Sequence, residues 1–150
     1  MEEREIREKL IRALDVLVQN DVFLLSNNVN ERSISHRLAV YLENEFPNWH
    51  VDCEYNRAIE NPKRLNIEEI DSESTDTNGK TVFPDIIVHR RGEQNNLLVV
   101  EMKKTTSNIP DDFDYLKLQA FKAQLGYRFA VFIKMKTMPN DTGYNDPVWF

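Results

Sequence analysis

The sequence predicts an α/β domain, and three observations carry that prediction. Apolar residues recur at helical spacing from the N-terminus to about residue 46. Pro84–Arg90, Leu97–Lys103 and Phe129–Ile133 are short apolar runs of the kind that form buried strands. A second helical stretch, from about Asp112 to Leu125, stands between the last two of these runs. At 150 residues, 41% hydrophobic and 29% charged, the chain fits one soluble domain with a single core.

Taken in order, residues 2 to 19 read as an amphipathic helix with Ile6, Leu10, Ala13, Leu14, Leu17 and Val18 on one side. Its stripe is expected to pack on the core; homodimerisation through it is the alternative. Asn27-Asn28 breaks the pattern. Asn30 is placed to cap a second helix running to about Phe46, with Ile34, Leu38, Tyr41, Leu42 and Phe46 as its stripe. Pro47 and Asn48 end it. Trp49, Val51, Cys53 and Tyr55 then alternate with polar residues, predicting a strand with one buried face. Residues 58 to 80 are polar and aperiodic and close on the turn signal Asn78-Gly79. They read as an insertion, with short structure expected around Leu65 to Ile70. Pro84 to Arg90 is the second strand, residues 91 to 96 a turn, and Leu97 to Lys103 the third strand. The helix from Asp112 to Leu125 is expected to bury Phe113, Leu116, Ala120, Phe121 and Ala123, and Gly126 to cap it. Phe129–Ile133 has no polar interruption and is read as a central strand. Pro139, Gly143 and Pro147 punctuate a tail expected to be irregular. The organisation is one domain over 1–150: a helical extension over 1–26, a core over 30–136, and the 58–80 insertion within it.

Charge and composition narrow the class. A net charge of −6 and a pI near 5.1 argue against a protein that coats nucleic acid. The acids are uneven, however: Glu68, Glu69, Asp71, Glu73 and Asp76 form a block, while Arg90, Arg91, Lys103, Lys104, Lys117, Lys122, Arg128, Lys134 and Lys136 lie downstream. No apolar run approaches the roughly 20 residues that span a bilayer, so no membrane partner is expected. No apolar segment follows Met1-Glu2-Glu3-Arg4-Glu5, and Cys53 is the single cysteine, so a cytoplasmic location is expected.

The chemistry concentrates in Phe83-Pro84-Asp85-Ile86-Ile87-Val88 and Leu97-Leu98-Val99-Val100-Glu101-Met102-Lys103. Each places a carboxylate in a strand-like apolar run, where an unpaired charge costs several kcal/mol. Alternate strand residues share a face, so Glu101 and Lys103 point together. A short turn makes the two strands antiparallel neighbours, bringing Asp85 near Glu101. Carboxylates about 4 Å apart repel by roughly 4 kcal/mol at an effective dielectric near 20, and a divalent cation converts that repulsion into coordination. The ordinary structural account is that Asp85 starts a strand after proline and Glu101 pairs with Lys103 at a sheet edge. Glu31 lies on the apolar face of the second helix, aimed at the sheet; N-terminal charge complementation is its ordinary role. His36, His50 and His89 lack zinc-ligand spacing with one another or with Cys53, and four glycines leave no phosphate-cradling loop. Lys104 and Lys117 are candidates for phosphate contacts, with a solvated surface as the alternative.

The order helix with Glu31, strand, strand with Pro84-Asp85, strand with Glu101-Met102-Lys103, helix, strand resembles the PD-(D/E)xK nuclease superfamily over about Asn30 to Lys136. That resemblance implies a restriction-endonuclease-like core: a mixed central sheet of about four strands flanked by helices in αβββαβ order, here with an extra N-terminal helix. It implies Mg²⁺ (or Mn²⁺) held by Asp85, Glu101 and the backbone carbonyl of Met102, with Lys103 positioning the attacking water and Glu31 as an additional catalytic acid. The implied activity is hydrolysis of phosphodiester bonds, in DNA first, with RNA left open. The rival is a catalytically silent nuclease-fold module that binds or assembles, motivated by the net acidity.

Overall fold

The computed structural model describes residues 1–55, 64–65, 80–81 and 83–150. In chain order the elements are α1 (Glu3–Asn20), α2 (Val22–Ser26), α3 (Glu31–Glu45), β1 (His50–Cys53), β2 (Arg64–Leu65), β3 (Lys80–Thr81), β4 (Ile86–Arg90), β5 (Asn95–Lys104), α4 (Asp112–Leu125), β6 (Phe129–Met138), β7 (Asp141–Tyr144) and β8 (Val148–Trp149).

The N-terminal half makes one helical layer. Ile6, Leu10, Leu14 and Leu17 of α1 are fully buried, and α1 packs along α3. Arg12 pairs with Glu45 at 3.1 Å and Lys9 donates to the Glu45 carbonyl at 2.7 Å, fixing the crossing. The apolar stripe of α1 is therefore consumed within the chain and is not on offer for dimerisation. No described helix is long and apolar enough to cross a membrane.

Between α1 and α3 the chain turns through α2, a five-residue helix too short to show a period in sequence. Asn28 then takes a left-handed backbone, φ 49°, which asparagine tolerates better than most residues. Its Oδ1 accepts from Thr137 at 2.8 Å and from Thr106 at 3.1 Å, clasping this turn to β6 and to the chain leaving β5. Asn30 caps α3 as predicted, its side chain accepting from the Ser33 N–H at 2.8 Å. Asn28→Ala combines a left-handed alanine with the loss of a partner for Thr137, which is fully buried. It is expected to destabilise by about 2 kcal/mol, or about 4–8 °C in Tm, whereas Asn28→Gly costs about half as much because only the bond is lost. Calorimetric melting of the two variants checks this.

The sheet is mixed and has six strands, in the order β1-β4-β5-β6-β7 with β8 also on β6. β1–β4 and β4–β5 pair antiparallel, and β5–β6 pair parallel with α4 as the crossover. The four-strand expectation is thus corrected. β6 runs on to Met138 because the apolar run gives way to an alternation, with Met135 and Thr137 buried and Lys134 and Lys136 partly exposed. Pro139-Asn140 makes a tight turn into β7, which pairs with Met135–Met138, and β8 takes up the same edge opposite Val131–Phe132. Prolines here mark turns at an edge rather than an irregular tail.

Helices cover both faces. α1, α2 and α3 close a core over Ile86, Val88, Leu98, Val100, Met102, Val131, Ile133 and Met135. α4 covers Ile87, Val99, Ala130 and Phe132 on the other face with Leu118 and Phe121. The expected apolar face of α4 is wrong in part: Phe113 and Ala123 are exposed, while Lys117 is buried with Leu118 and Phe121. The helix is rotated to turn two charged residues toward the sheet, for the reason given below. Of the 58–80 insertion, only the paired β2 and β3 are described. The Asn78-Gly79 turn, the structure expected over 66–70 and the acidic block at Glu68, Glu69, Asp71, Glu73 and Asp76 lie outside the described residues.

Candidate active site

β4 begins at Ile86, opposite Val100, whereas β5 continues to Lys104. The last four residues of β5 therefore have no strand partner on the β4 side. In a strand, every second residue turns both its N–H and its C=O to the same edge. Here those residues are Met102 and Lys104, and carboxylates meet them. The Met102 N–H donates to Asp85 Oδ2 at 2.8 Å, and the Lys104 N–H donates to Glu31 Oε2 at 3.4 Å. Glu31, from the first turn of α3, and Asp85, just ahead of β4, thus converge on the open end of the sheet as the sequence predicted. The Met102 carbonyl lies on that same edge. Glu31 and Asp85 also line one cleft of about 670 Å³, together with Arg32, His36, Arg37, Cys53 and Glu54.

The odd residues of β5 point to the other face, under α4. Glu101 is 2% exposed and its carboxyl lies close enough to Asp85 to feel that charge. Lys117 Nζ of α4 comes to 2.9 Å from Glu101 Oε1, but the approach is too oblique for a hydrogen bond, so Oε1 is buried with no aligned donor. Lys117 also donates to the Phe83 carbonyl at 3.1 Å. Burial, and then the Asp85 charge, push the Glu101 carboxyl well above its ordinary range, against the opposing pull of Lys117. Glu101 therefore does not pair with Lys103 at a sheet edge: β5 is an interior strand and the pairing lysine comes from α4.

Lys103 is placed elsewhere. Its Nζ lies 2.5 Å from Asp114 and 3.5 Å from Asp111, and donates to the carbonyls of Ile109 and Pro110 at 3.1 and 2.9 Å. Asp111 also binds Lys134 at 2.9 Å. Burial works against the Lys103 charge, but Asp114 and Asp111 outweigh it and raise the ammonium above its ordinary pKa. This network ties residues 109–114 to β5; it does not bring Lys103 to Asp85 or Glu101. Lys103→Met is expected to cost about 2–3 kcal/mol in urea unfolding, since it leaves the partly buried Asp114 without its ammonium although Asp111 keeps Lys134, while leaving Mn²⁺ affinity unchanged. Weaker Mn²⁺ binding at unchanged stability would instead assign Lys103 to the metal centre.

The two proposed phosphate lysines also separate. Lys117 is buried against Glu101 and belongs to the site interior. Lys104 is partly exposed, its Nζ 3.5 Å from the Asn28 carbonyl. His89 is 2% exposed and bonded to Asp52 at 2.7 Å, a structural role. Asp114 and Lys117 were legible only as charges three apart on one face of α4, the spacing that lets both meet a neighbouring strand.

The donor set fits a small, hard cation. Two neighbouring carboxylates and a backbone carbonyl on the same edge are oxygen ligands of the kind Mg²⁺ and Mn²⁺ take, with water or phosphate oxygens completing the shell. Among the described residues no three His, Cys, Asp or Glu side chains form a metal cage by themselves. Comparison with known proteins finds no match: no family model, no curated sequence and no solved structure corresponds to this chain.

Proposed function

We propose that the protein is a Mg²⁺- or Mn²⁺-dependent nuclease of restriction-endonuclease-like fold, cleaving phosphodiester bonds in DNA. The observation that carries this reading is Glu101, a buried carboxylate whose partner is Lys117, held close to the second carboxylate of Asp85 at the open end of β5 beside a cleft that also holds Glu31. A structural protein gains nothing from that cost; a site that recruits a cation does. Asp85, Glu101 and the Met102 carbonyl would hold the ion, and when bound it polarises a phosphoryl oxygen and lowers the pKa of water.

The chain's own groups do the rest. Glu31 is oriented by the Lys104 amide and keeps Oε1 available to take a proton from the attacking water. Lys117, rather than Lys103, is the cation adjoining the carboxylates, and it offsets negative charge that develops on the phosphate. Lys104 stands at the rim as a phosphate contact. A reducing, cytoplasmic setting suits the single free Cys53.

One observation favours the rival reading, a silent binding or assembly module: Lys117 already supplies a positive charge at Glu101. The two separate in one assay. Incubation with plasmid, single-stranded and branched DNA plus Mg²⁺ or Mn²⁺ should give cleavage that EDTA stops. Absence of cleavage on every substrate, or cleavage that survives Asp85→Asn, sinks the nuclease reading.

A further inference from the structure

The positive charge beside the carboxylates comes from the helix that covers them. Lys117 of α4 is buried, and its Nζ lies 2.9 Å from Glu101 Oε1. The same Nζ donates to the Phe83 carbonyl at 3.1 Å, two residues ahead of Asp85. One ammonium therefore ties Glu101 on β5 to the segment that carries the second carboxylate. Without a metal ion, it supplies at Glu101 the charge that a divalent cation would supply.

The two cations cannot share that carboxylate at low cost. At an effective dielectric of about 20, two unit charges about 4 Å apart change an equilibrium by roughly a thousandfold, and a divalent ion doubles the exponent. Glu31 does not relieve this repulsion directly, because it belongs to α3, on the opposite face of the sheet from α4. Lys117, in contrast, can move without undocking its helix. Leu118 and Phe121 anchor α4 in the core, and Asp114 holds it to Lys103 of β5 at 2.5 Å. The ammonium also has a second seat. The ring of Phe113, one turn earlier on α4, lies 5.8 Å from Nζ and is 37% exposed, so a lysine leaving Glu101 gains an aromatic face and water.

Resting on the cation site of the nuclease reading, we infer that Lys117 is the resident counter-ion of that site, and that a divalent cation binds by displacing its ammonium from Glu101. The site thus carries its own competitor. Its carboxylates stay compensated in the metal-free protein, and its affinity for metal is lower than the same carboxylates would give alone. A proton gains from the loss of Lys117 too, but a dication gains twice as much per interaction, so removing the lysine favours the metal.

Mn²⁺ titration calorimetry on the full chain and on Lys117→Met tests this. The variant should bind Mn²⁺ at least about tenfold more tightly, and Mn²⁺ should raise its melting temperature further than it raises that of the wild type. Because the variant is itself less stable, a second measurement stays with the wild type. A pulse of acetic anhydride, read by mass spectrometry, reports the accessibility of Lys117 against Lys122 of the same helix. Lys117 should acetylate faster once Mn²⁺ is added, with Lys122 unchanged. Equal or weaker Mn²⁺ binding by the variant, or a Lys117 that Mn²⁺ leaves as protected as before, overturns the inference. Metal-dependent cleavage by the wild type alongside either result keeps the nuclease reading. Mn²⁺ bound by the variant and not by a wild type that fails to cleave supports the inference and counts against the nuclease. Binding by neither protein overturns both.

Discussion

Asp85→Asn is expected to lower metal-dependent cleavage by at least about 100-fold while leaving the fold intact. The asymmetry follows from what Asp85 touches. Its structural contact is a hydrogen bond accepted from the Met102 N–H, and an asparagine carbonyl oxygen accepts the same bond. Its charge, in contrast, is a burden: after burial, Asp85 is the next largest influence raising the Glu101 carboxyl. Removing that charge relieves a repulsion, so the variant should melt at or slightly above the wild-type temperature. Glu101→Gln should lose activity similarly. Cleavage assayed beside thermal melts separates lost chemistry from lost structure.

Lys117→Met should produce the largest loss of stability, and the loss should depend on pH. Lys117 is the one described cation beside Glu101, and removing one member of a buried ion pair leaves the other uncompensated, at about 3–5 kcal/mol. The sign of the pH dependence follows from Glu101. Its folded-state carboxyl titrates above the ordinary value of 4.5, so the folded chain holds the proton more tightly than the unfolded chain. Its contribution is favourable below pH 4.5 and is lost as pH rises through the raised value. Lys117 pulls that value down, so Lys117→Met moves it higher and steepens the decline. The Tm deficit should be smallest at acid pH, where Glu101 holds its proton, and grow to about 6–20 °C as pH rises through the raised value. Adding Glu101→Gln should restore most of it. A deficit independent of pH would mean that Lys117 stabilises through packing alone.

What could be read from the sequence, and what could not, divides by the range of the interactions. Asn30, Gly126 and the stripe of α1 act over a few residues, and α1, α3 and α4 were legible to within a residue or two. So was the pairing of Pro84–Arg90 with Leu97–Lys103, because turn length and alternation determine it. α2 escaped because five residues carry no period, and β7 and β8 escaped because Pro139 and Pro147 read as breaks although Pro139 makes the turn into β7 and Pro147 directly precedes β8. The site was legible in its acids. Asp85, Glu101 and Glu31 are charges in apolar settings, a local conflict visible in one dimension. The lysines were not. Lys103 and Lys117 lie on two elements that meet only through tertiary packing, and the rotation of α4 decides which ammonium reaches Glu101. Apolar content predicted a different face, because Phe113 is left exposed while Lys117 is buried.

The central claim is that Asp85 and Glu101 form a divalent-cation site, and Mn²⁺ titration calorimetry of the nucleic-acid-free protein tests it most directly. Run in two buffers of different ionisation enthalpy across a range of pH, it also counts protons released, because a cation competes with the proton that the raised Glu101 carboxyl holds more tightly than usual. The prediction is one Mn²⁺ per chain with proton release, both abolished in Asp85→Asn and preserved in Lys103→Met. Absence of Mn²⁺ binding at millimolar concentration, or binding that Asp85→Asn leaves unchanged, would contradict it.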